Sequence, residues 1–198
     1  MLHRITRFSG LDGRKLMDLY AEGNLENTDY FFPDVADKAE AVRMVEAGFL
    51  DFLENVFFAD PGSTYWILEE NGLYLSALRT SRIEPGLYYI EALETHPAHR
   101  RQGFAERLLT GVEDALKQEG PFRLCSCVSK KNEASRKTHL KCGFRIVSDA
   151  GWDYLRGEAD ERDHGMEYRW TGTVDFLGPR QEEGPDRNRV PAKTAPID

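Results

Sequence analysis

After Asp34 the chain settles into a helical period. Val42, Val45, Phe49, Phe52, Leu53 and Val56 step by three or four, or sit adjacent on one face. Ala-Asp-Pro-Gly-Ser at 59–63 stops the run. The period then falls to two. Residues 64–80, "TYWILEENGLYLSALRT", predict two strands around Asn71-Gly72, a pair suited to a tight hairpin turn. "EPG" turns the chain again, and "LYYIEALET" at 87–95 is a third strand in series.

Ala105, Leu108, Leu109, Val112 and Leu116 then stripe a second helix, which Gly120-Pro121 ends. "FRLCSCV" follows as a strand. "NEASRKTHLKC" is a helix with Asn132 at its N-cap and Gly143 just past its end. "FRIVSD" and "GMEYRW" are strands flanking an acidic loop. Upstream, "MLHRITRF" reads as an edge strand. "GRKLMDLYAEG" is a short helix ended by Gly23, and residues 24–34 are a loop holding Tyr30, Phe31 and Phe32. Three strands in series predict an antiparallel meander, and the strand–helix–strand crossover adds a parallel pair. The sum is a mixed sheet with helices on both faces.

The length of 198 residues fits one domain plus a tail. No apolar run reaches the roughly 20 residues of a membrane span, and "MLHRITRFSGLDG" lacks a signal-peptide core. A net charge of -8 disfavours broad binding to nucleic acid phosphates. Cys125, Cys127 and Cys142 have no metal spacing and cannot all pair, so they read as reduced core thiols in a cytoplasmic protein. Four of the nine prolines fall in the last 20 residues among charges, a composition that predicts disorder from about residue 178.

One junction stands out chemically. "THPAHRRQGFAERLL", residues 95–109, sets Arg100, Arg101 and Gly103 immediately before an apolar helix. A helix N-terminus exposes about four unpaired N–H groups and roughly half a positive charge, which suits an anion. Gly103 allows close backbone approach. Neither a P-loop nor a three-glycine dinucleotide fingerprint is present. A solvated helix start with incidental arginines is the plainer reading.

Arg100-x-x-Gly103-x-Ala105, after the strand "IEALETHP", resembles the acetyl-CoA motif of the GNAT superfamily of N-acetyltransferases. "NEASRKTHLKCGF" at 132–144 is similar to that family's second signature, an Asn-x-x-Ser/Ala helix ending in Gly-Phe. The resemblance covers about residues 1–171, leaving 172–198 as a tail. It implies an α/β fold whose mixed, mostly antiparallel sheet of six to seven strands is splayed at its central strand pair.

It also implies roles. Backbone groups of Leu93, Glu94 and Thr95 pair with the pantetheine arm. Arg100, Arg101, Gln102, Gly103, Phe104 and Ala105 wrap the pyrophosphate, and the side chain of Arg100 or Arg101 reaches the 3′-phosphate. Asn132 and Ser135 meet the thioester end, and Tyr30, Phe31 and Phe32 fall where the family builds its acceptor pocket. His139 stands where many members carry a tyrosine that donates a proton to the departing thiolate. Glu91 is the preferred base and Glu94 the other candidate. Regular alternation puts these two on opposite faces, with Leu93 and Thr95 beside Glu91, unless a bulge intervenes.

Each residue has a plainer alternative: Asn132 as a cap, Ser135 as a small contact, His139 as a structural hydrogen bonder, the aromatics as half core. The implied activity is acetyl transfer from acetyl-CoA, without metal, to a primary amine on a small molecule. Partners are the amine alone, neither nucleic acid nor membrane, and the chain is a monomer or homodimer. Seven acids against two arginines over 149–167, which the family fold would set beside the acceptor pocket, suit a small cationic amine, with a solvated acidic loop as the plainer reading. The alternatives are a non-catalytic acyl-CoA-binding or sensing module and a protein N-terminal or lysine acetyltransferase.

Overall fold

Asn71 and Gly72 take φ of 51° and 79°, the positive values a two-residue hairpin turn requires. β2 (Ser63–Glu70) and β3 (Leu73–Glu84) therefore fold back antiparallel in the computed structural model, which describes residues 1–172. β1 (Leu2–Ile5) pairs with β2 at the sheet edge, and β4 (Leu87–Thr95) continues the meander on β3. α4 (Phe104–Lys117) then carries the chain back, so that β5 (Phe122–Ser129) lies parallel to β4. α5 (Glu133–Lys141) leads to β6 (Arg145–Ser148), and β9 (Asp163–Trp170) slots antiparallel between β5 and β6. The order is β1-β2-β3-β4-β5-β9-β6, seven strands with one parallel pair. The tail expected to be disordered lies, from residue 173, outside the described residues.

Each face of the sheet has its own core. On one, Leu108, Leu109, Val112 and Leu116 of α4 pack on Trp66, Leu78, Ile90 and Leu124. On the other, α1 (Gly13–Leu19) supplies Leu16 and Leu19 against Tyr65, Ile67 and Ala77, and α3 (Lys38–Phe52) closes over them. Among the described residues no helix is long and apolar enough to cross a membrane.

Three expectations fail for identifiable reasons. Residues 24–34 are mostly helix: α2 spans Ala21–Phe31 and runs through Gly23. Its buried face consists of Asn24 and Thr28, so apolar periodicity could not reveal it. A mid-helix glycine costs only about 1 kcal/mol, which packing overrides. Secondly, α3 continues into a π-helical turn, Leu53–Phe57. The extra residue in that turn brings Phe57 into the core and leaves Val56 59% exposed. Thirdly, the acidic loop contains a small hairpin, β7 (Gly151–Asp153) and β8 (Glu158–Asp160). The Asp153 carboxylate accepts from the N–H groups of Leu155 and Arg156 and so closes its turn.

Candidate active site

From Tyr88 to Glu91 the pairing of β4 with β3 is regular. Arg79 stands opposite Glu91 and Ala77 opposite Glu94, so Leu78 alone faces both Ala92 and Leu93. This is a β-bulge, and Ala92 at its centre has φ 51°. The extra residue reverses the expected parity. Arg79 and Ala77 share one face of β3, so Glu91 and Glu94 share it too. Leu93 does not stand beside Glu91: it packs into the core beneath α4.

At the same point β4 and β5 part. Their pairing ends at Ile90 opposite Ser126, although β4 runs on to Thr95 and β5 to Ser129. The gap opens a cleft of about 350 Å³. Glu91, Ala92 and Leu93 line it from β4, and Asn132, Ser135 and His139 line it from the start and one face of α5. The three- and four-residue spacing of the latter set does place them together, as the sequence predicts.

The α5 residues are linked. Asn132 Oδ1 caps the helix by accepting from the Ser135 N–H at 3.0 Å. The Ser135 carbonyl accepts from His139 Nδ1 at 2.9 Å. A carbonyl only accepts, so the His139 proton sits on Nδ1 and Nε2 carries a lone pair. The ring is 2% exposed and edge-on to Phe144 at 4.9 Å, and Nε2 has no partner among the described residues. Burial lowers its pKa, partly offset by the Ser135 bond. His139 is thus a neutral imidazole with a free acceptor. In this form Nε2 can accept a proton, unlike the proton-donating tyrosine that many family members carry at this position.

Glu91 is half-buried. Burial raises its pKa, Asp153 adds to the rise, and Arg79 opposes it. Arg79 Nη2 lies 3.8 Å from the Glu91 carboxylate, with its guanidinium over the rings of Phe49, Phe52 and Phe57. Nothing local in the sequence marks Arg79 as the partner of Glu91. The β3–β4 register does.

The junction before α4 has the form its sequence suggests. Arg101 and Gly103 take φ of 61° and 81°, and no side chain caps the helix start. The first-turn N–H groups, from Phe104 and Ala105 onward, are therefore left without a side-chain cap. A Cβ on Gly103 would meet nothing within 4 Å, so the space beside it is free. Gln102 is exposed, whereas the Phe104 ring is buried and holds the helix down. The two arginines differ. Arg100 pairs with Glu22 at 2.5 Å and Glu94 at 3.3 Å, and its Nε donates to the Thr95 carbonyl. Arg101 is exposed and forms no ion pair among the described residues.

Opposite α5, the β7–β8 hairpin adds Asp153, Glu158 and Asp160 to the cleft, and β9 adds Asp163. Asp153 meets Arg156 at 3.7 Å, and Asp160 is held by Arg162 at 2.5 Å. Glu158 and Asp163 form no ion pair among the described residues. Burial and Asp160 push the Asp163 carboxyl up. All three cysteines are free, with thiols pushed up chiefly by burial, Cys142 to about 11, so none is an activated nucleophile. Tyr30 and Phe31 are 81% and 58% exposed at the end of α2, stacked edge-on against each other, and with Phe32 they lie outside the cleft lining. Among the described residues no cluster of His, Cys, Asp and Glu could hold a metal ion.

This sheet, parted at β4–β5 beside an open helix start, is the architecture of an acetyltransferase fold. The model of the Acetyltransferase (GNAT) family matches residues 19–144, and the chain belongs to that family. No curated protein matches it by sequence. Among solved structures it is similar to PaiA N-acetyltransferase of Thermoplasma acidophilum in complex with coenzyme A, with TM-score 0.59 and 12% identity over 86% of this chain and 99% of that one. It is also similar to IAA acetyltransferase of Bacillus cereus ATCC 14579, with TM-score 0.54 and 13% identity over 86% and 99%. The ribosomal-protein-S18-alanine N-acetyltransferase of Escherichia coli superposes with TM-score 0.53 and 19% identity over 90% and 99%. At these identities the likeness is one of fold.

Proposed function

We propose that the protein transfers the acetyl group of acetyl-CoA directly to the primary amine of a small cationic acceptor. The observation that carries this reading is the single cleft into which the parted β4–β5 pair brings Glu91, the bulge at Ala92–Leu93 and His139. The open junction at Arg101–Ala105 fits a pyrophosphate, and the unpaired Arg101 is the side chain free to meet a further phosphate.

In the reaction the amine nitrogen bonds to the acetyl carbon, the carbon–sulfur bond breaks, and one proton passes from nitrogen to sulfur. Glu91, its pKa raised by burial, takes the proton that an ammonium must lose first. The Leu93 N–H donates to the acetyl carbonyl as its oxygen gains charge. His139 Nε2 accepts the second proton and passes it to sulfur, which reverses the order of transfer expected of a tyrosine at this position. Glu158 and Asp163, which form no ion pair among the described residues, favour an acceptor that carries positive charge beyond its reacting amine.

The test is thiol release with acetyl-CoA and a panel of amines, beside thermal unfolding. Acetyl-CoA should raise the Tm, because a ligand bound only to the folded state stabilises it. Gly103→Val should abolish that rise, since a branched side chain at φ 81° both strains the turn and blocks close approach of a ligand to the backbone. Diamines should be acetylated faster than neutral amines. A rise in Tm without thiol release from any small amine or peptide would assign the chain to acyl-CoA binding alone. Release confined to peptides would make it a protein acetyltransferase.

A further inference from the structure

Ala92 is an alanine in the left-handed region, a conformation that costs about 1–2 kcal/mol. It has no Cα partner in β3 or in β5, so the ladder does not hold it. A side chain does. The Tyr20 hydroxyl, at the joint between α1 and α2, donates to the Ala92 carbonyl at 2.7 Å. The Tyr65 hydroxyl on β2 donates in turn to the Tyr20 oxygen at 3.0 Å. Tyr65 is fully buried, and the Tyr20 ring is fixed edge-on against Phe49 at 5.5 Å. Burial pushes the Tyr20 hydroxyl up to about 12 and that of Tyr65 well above its usual value, so both remain protonated donors at working pH.

The peptide plane carries this hold onward. The Ala92 carbonyl and the Leu93 N–H belong to one peptide unit, which is rigid and planar, with its C=O and N–H pointing to opposite sides. Holding the carbonyl toward Tyr20 turns the Leu93 N–H away from it. We propose that Tyr20, backed by Tyr65, is a positioning residue that sets the direction of the Leu93 N–H and thereby aims the donor at the acetyl carbonyl. This rests on the acetyl-transfer reading above. It explains why a bulge with a strained alanine keeps one orientation, and it ties the site to the core beneath α3. Neither tyrosine touches the reacting atoms. Their effect passes through a single peptide plane.

The variant Tyr20→Phe keeps the ring and removes the hydroxyl. Misaiming a reacting group by about 1 Å can cost on the order of a hundredfold, so kcat should fall by about tenfold to a hundredfold. KM for acetyl-CoA should stay within about twofold, because the other N–H groups and the junction are untouched. Tyr65→Phe should produce a smaller loss of kcat in the same direction, and it serves if Tyr20→Phe does not fold. The decisive readout is the amide signal of Leu93 in protein labelled with nitrogen-15 leucine, recorded without ligand. It should shift or broaden and exchange faster in Tyr20→Phe, while leucines in α4 stay unchanged. An unchanged Leu93 amide, or an unchanged kcat beside a moved amide, overturns the proposal. Should the wild type release no thiol at all, the acetyl-transfer reading fails, while the Leu93 amide still shows whether Tyr20 holds the bulge.

Discussion

His139 illustrates how one hydrogen bond can reverse a role. Its place in the site is readable from the three- and four-residue steps of Asn132, Ser135 and His139, but the side of the ring that carries the proton is not. That depends on the Ser135 carbonyl 2.9 Å from Nδ1 and on burial, which holds the ring neutral. If Nε2 works as an acceptor, His139→Ala should lower kcat by about a hundredfold or more, the usual worth of a positioned proton-transfer group. Coenzyme A affinity should change far less. The pH dependence follows from the lowered pKa. The neutral ring is the working form and its pKa lies below the ordinary 6.5, so its contribution persists at and above that pH and is lost only as pH falls through the lowered value. Measuring kcat at saturating amine across the pH range checks this. A loss on raising the pH that disappears in His139→Ala would instead mark an imidazolium acid.

The β7–β8 hairpin shows what an element adds to a charge count. Residues 149–167 read as an acidic loop, and the count alone does not say which acids matter. The fold pairs Asp153 with Arg156 and Asp160 with Arg162 and leaves Asp149, Glu161 and Glu167 out of the cleft lining. Glu158 and Asp163 remain. Neutralising both as Glu158→Gln and Asp163→Asn should raise KM for a diamine by about fivefold to tenfold. Asp160→Asn should do less, because Arg162 already offsets that charge. In the wild type KM should climb with salt, as the screening length shortens from about 30 Å at 0.01 M to about 3 Å at 1 M. In the double variant that slope should flatten. Steady-state kinetics at several ionic strengths decide this, and a KM indifferent to salt in the wild type would remove the cationic acceptor.

Glu113 makes the stability of the whole domain depend on pH. It lies in α4 on the core side, 4% exposed, with Oε1 lacking a partner among the described residues. Burial pushes its carboxyl up to about 8, Asp114 adding and Lys117 opposing. A raised carboxyl pKa in the folded state favours folding fully below the unfolded value of 4.5, and that advantage is lost as pH rises toward about 8. Glu113→Gln, which stays neutral, should therefore match the wild type near the low end and gain on it as pH climbs. Each tenfold difference in proton affinity between the folded and unfolded chain is worth about 1.4 kcal/mol, so a gain of at least that size is expected at the high end. Urea unfolding of both proteins across this range gives the comparison. Equal stability at every pH would place the charge of Glu113 in contact with water.

The elements legible in the sequence are those whose signals are local. Asn71-Gly72 could form a tight hairpin wherever it stood, the Leu108–Leu116 stripe needs only a helix, and Asn132 caps through its own third neighbour. The junction at Arg100–Ala105 and the Asn132–Phe144 segment are equally short-range, and they carry the fold class and part of the candidate site. What could not be read depends on partners far away in the chain. α2 was hidden because Asn24 and Thr28, not apolar residues, form its buried face. The parity of Glu91 and Leu93 turned on one unpaired residue opposite Leu78. Arg100 and Arg101 are neighbours of the same type, and only the approach of Glu22 and Glu94 tells them apart. Tyr30 and Phe31 stand where the family resemblance puts the acceptor pocket, yet the end of α2 turns them outward. Local propensities specify which backbone shapes each segment can take. Long-range packing selects the partner of each side chain, and in this cleft the partners decide which nitrogen of His139 is protonated and which acids are paired.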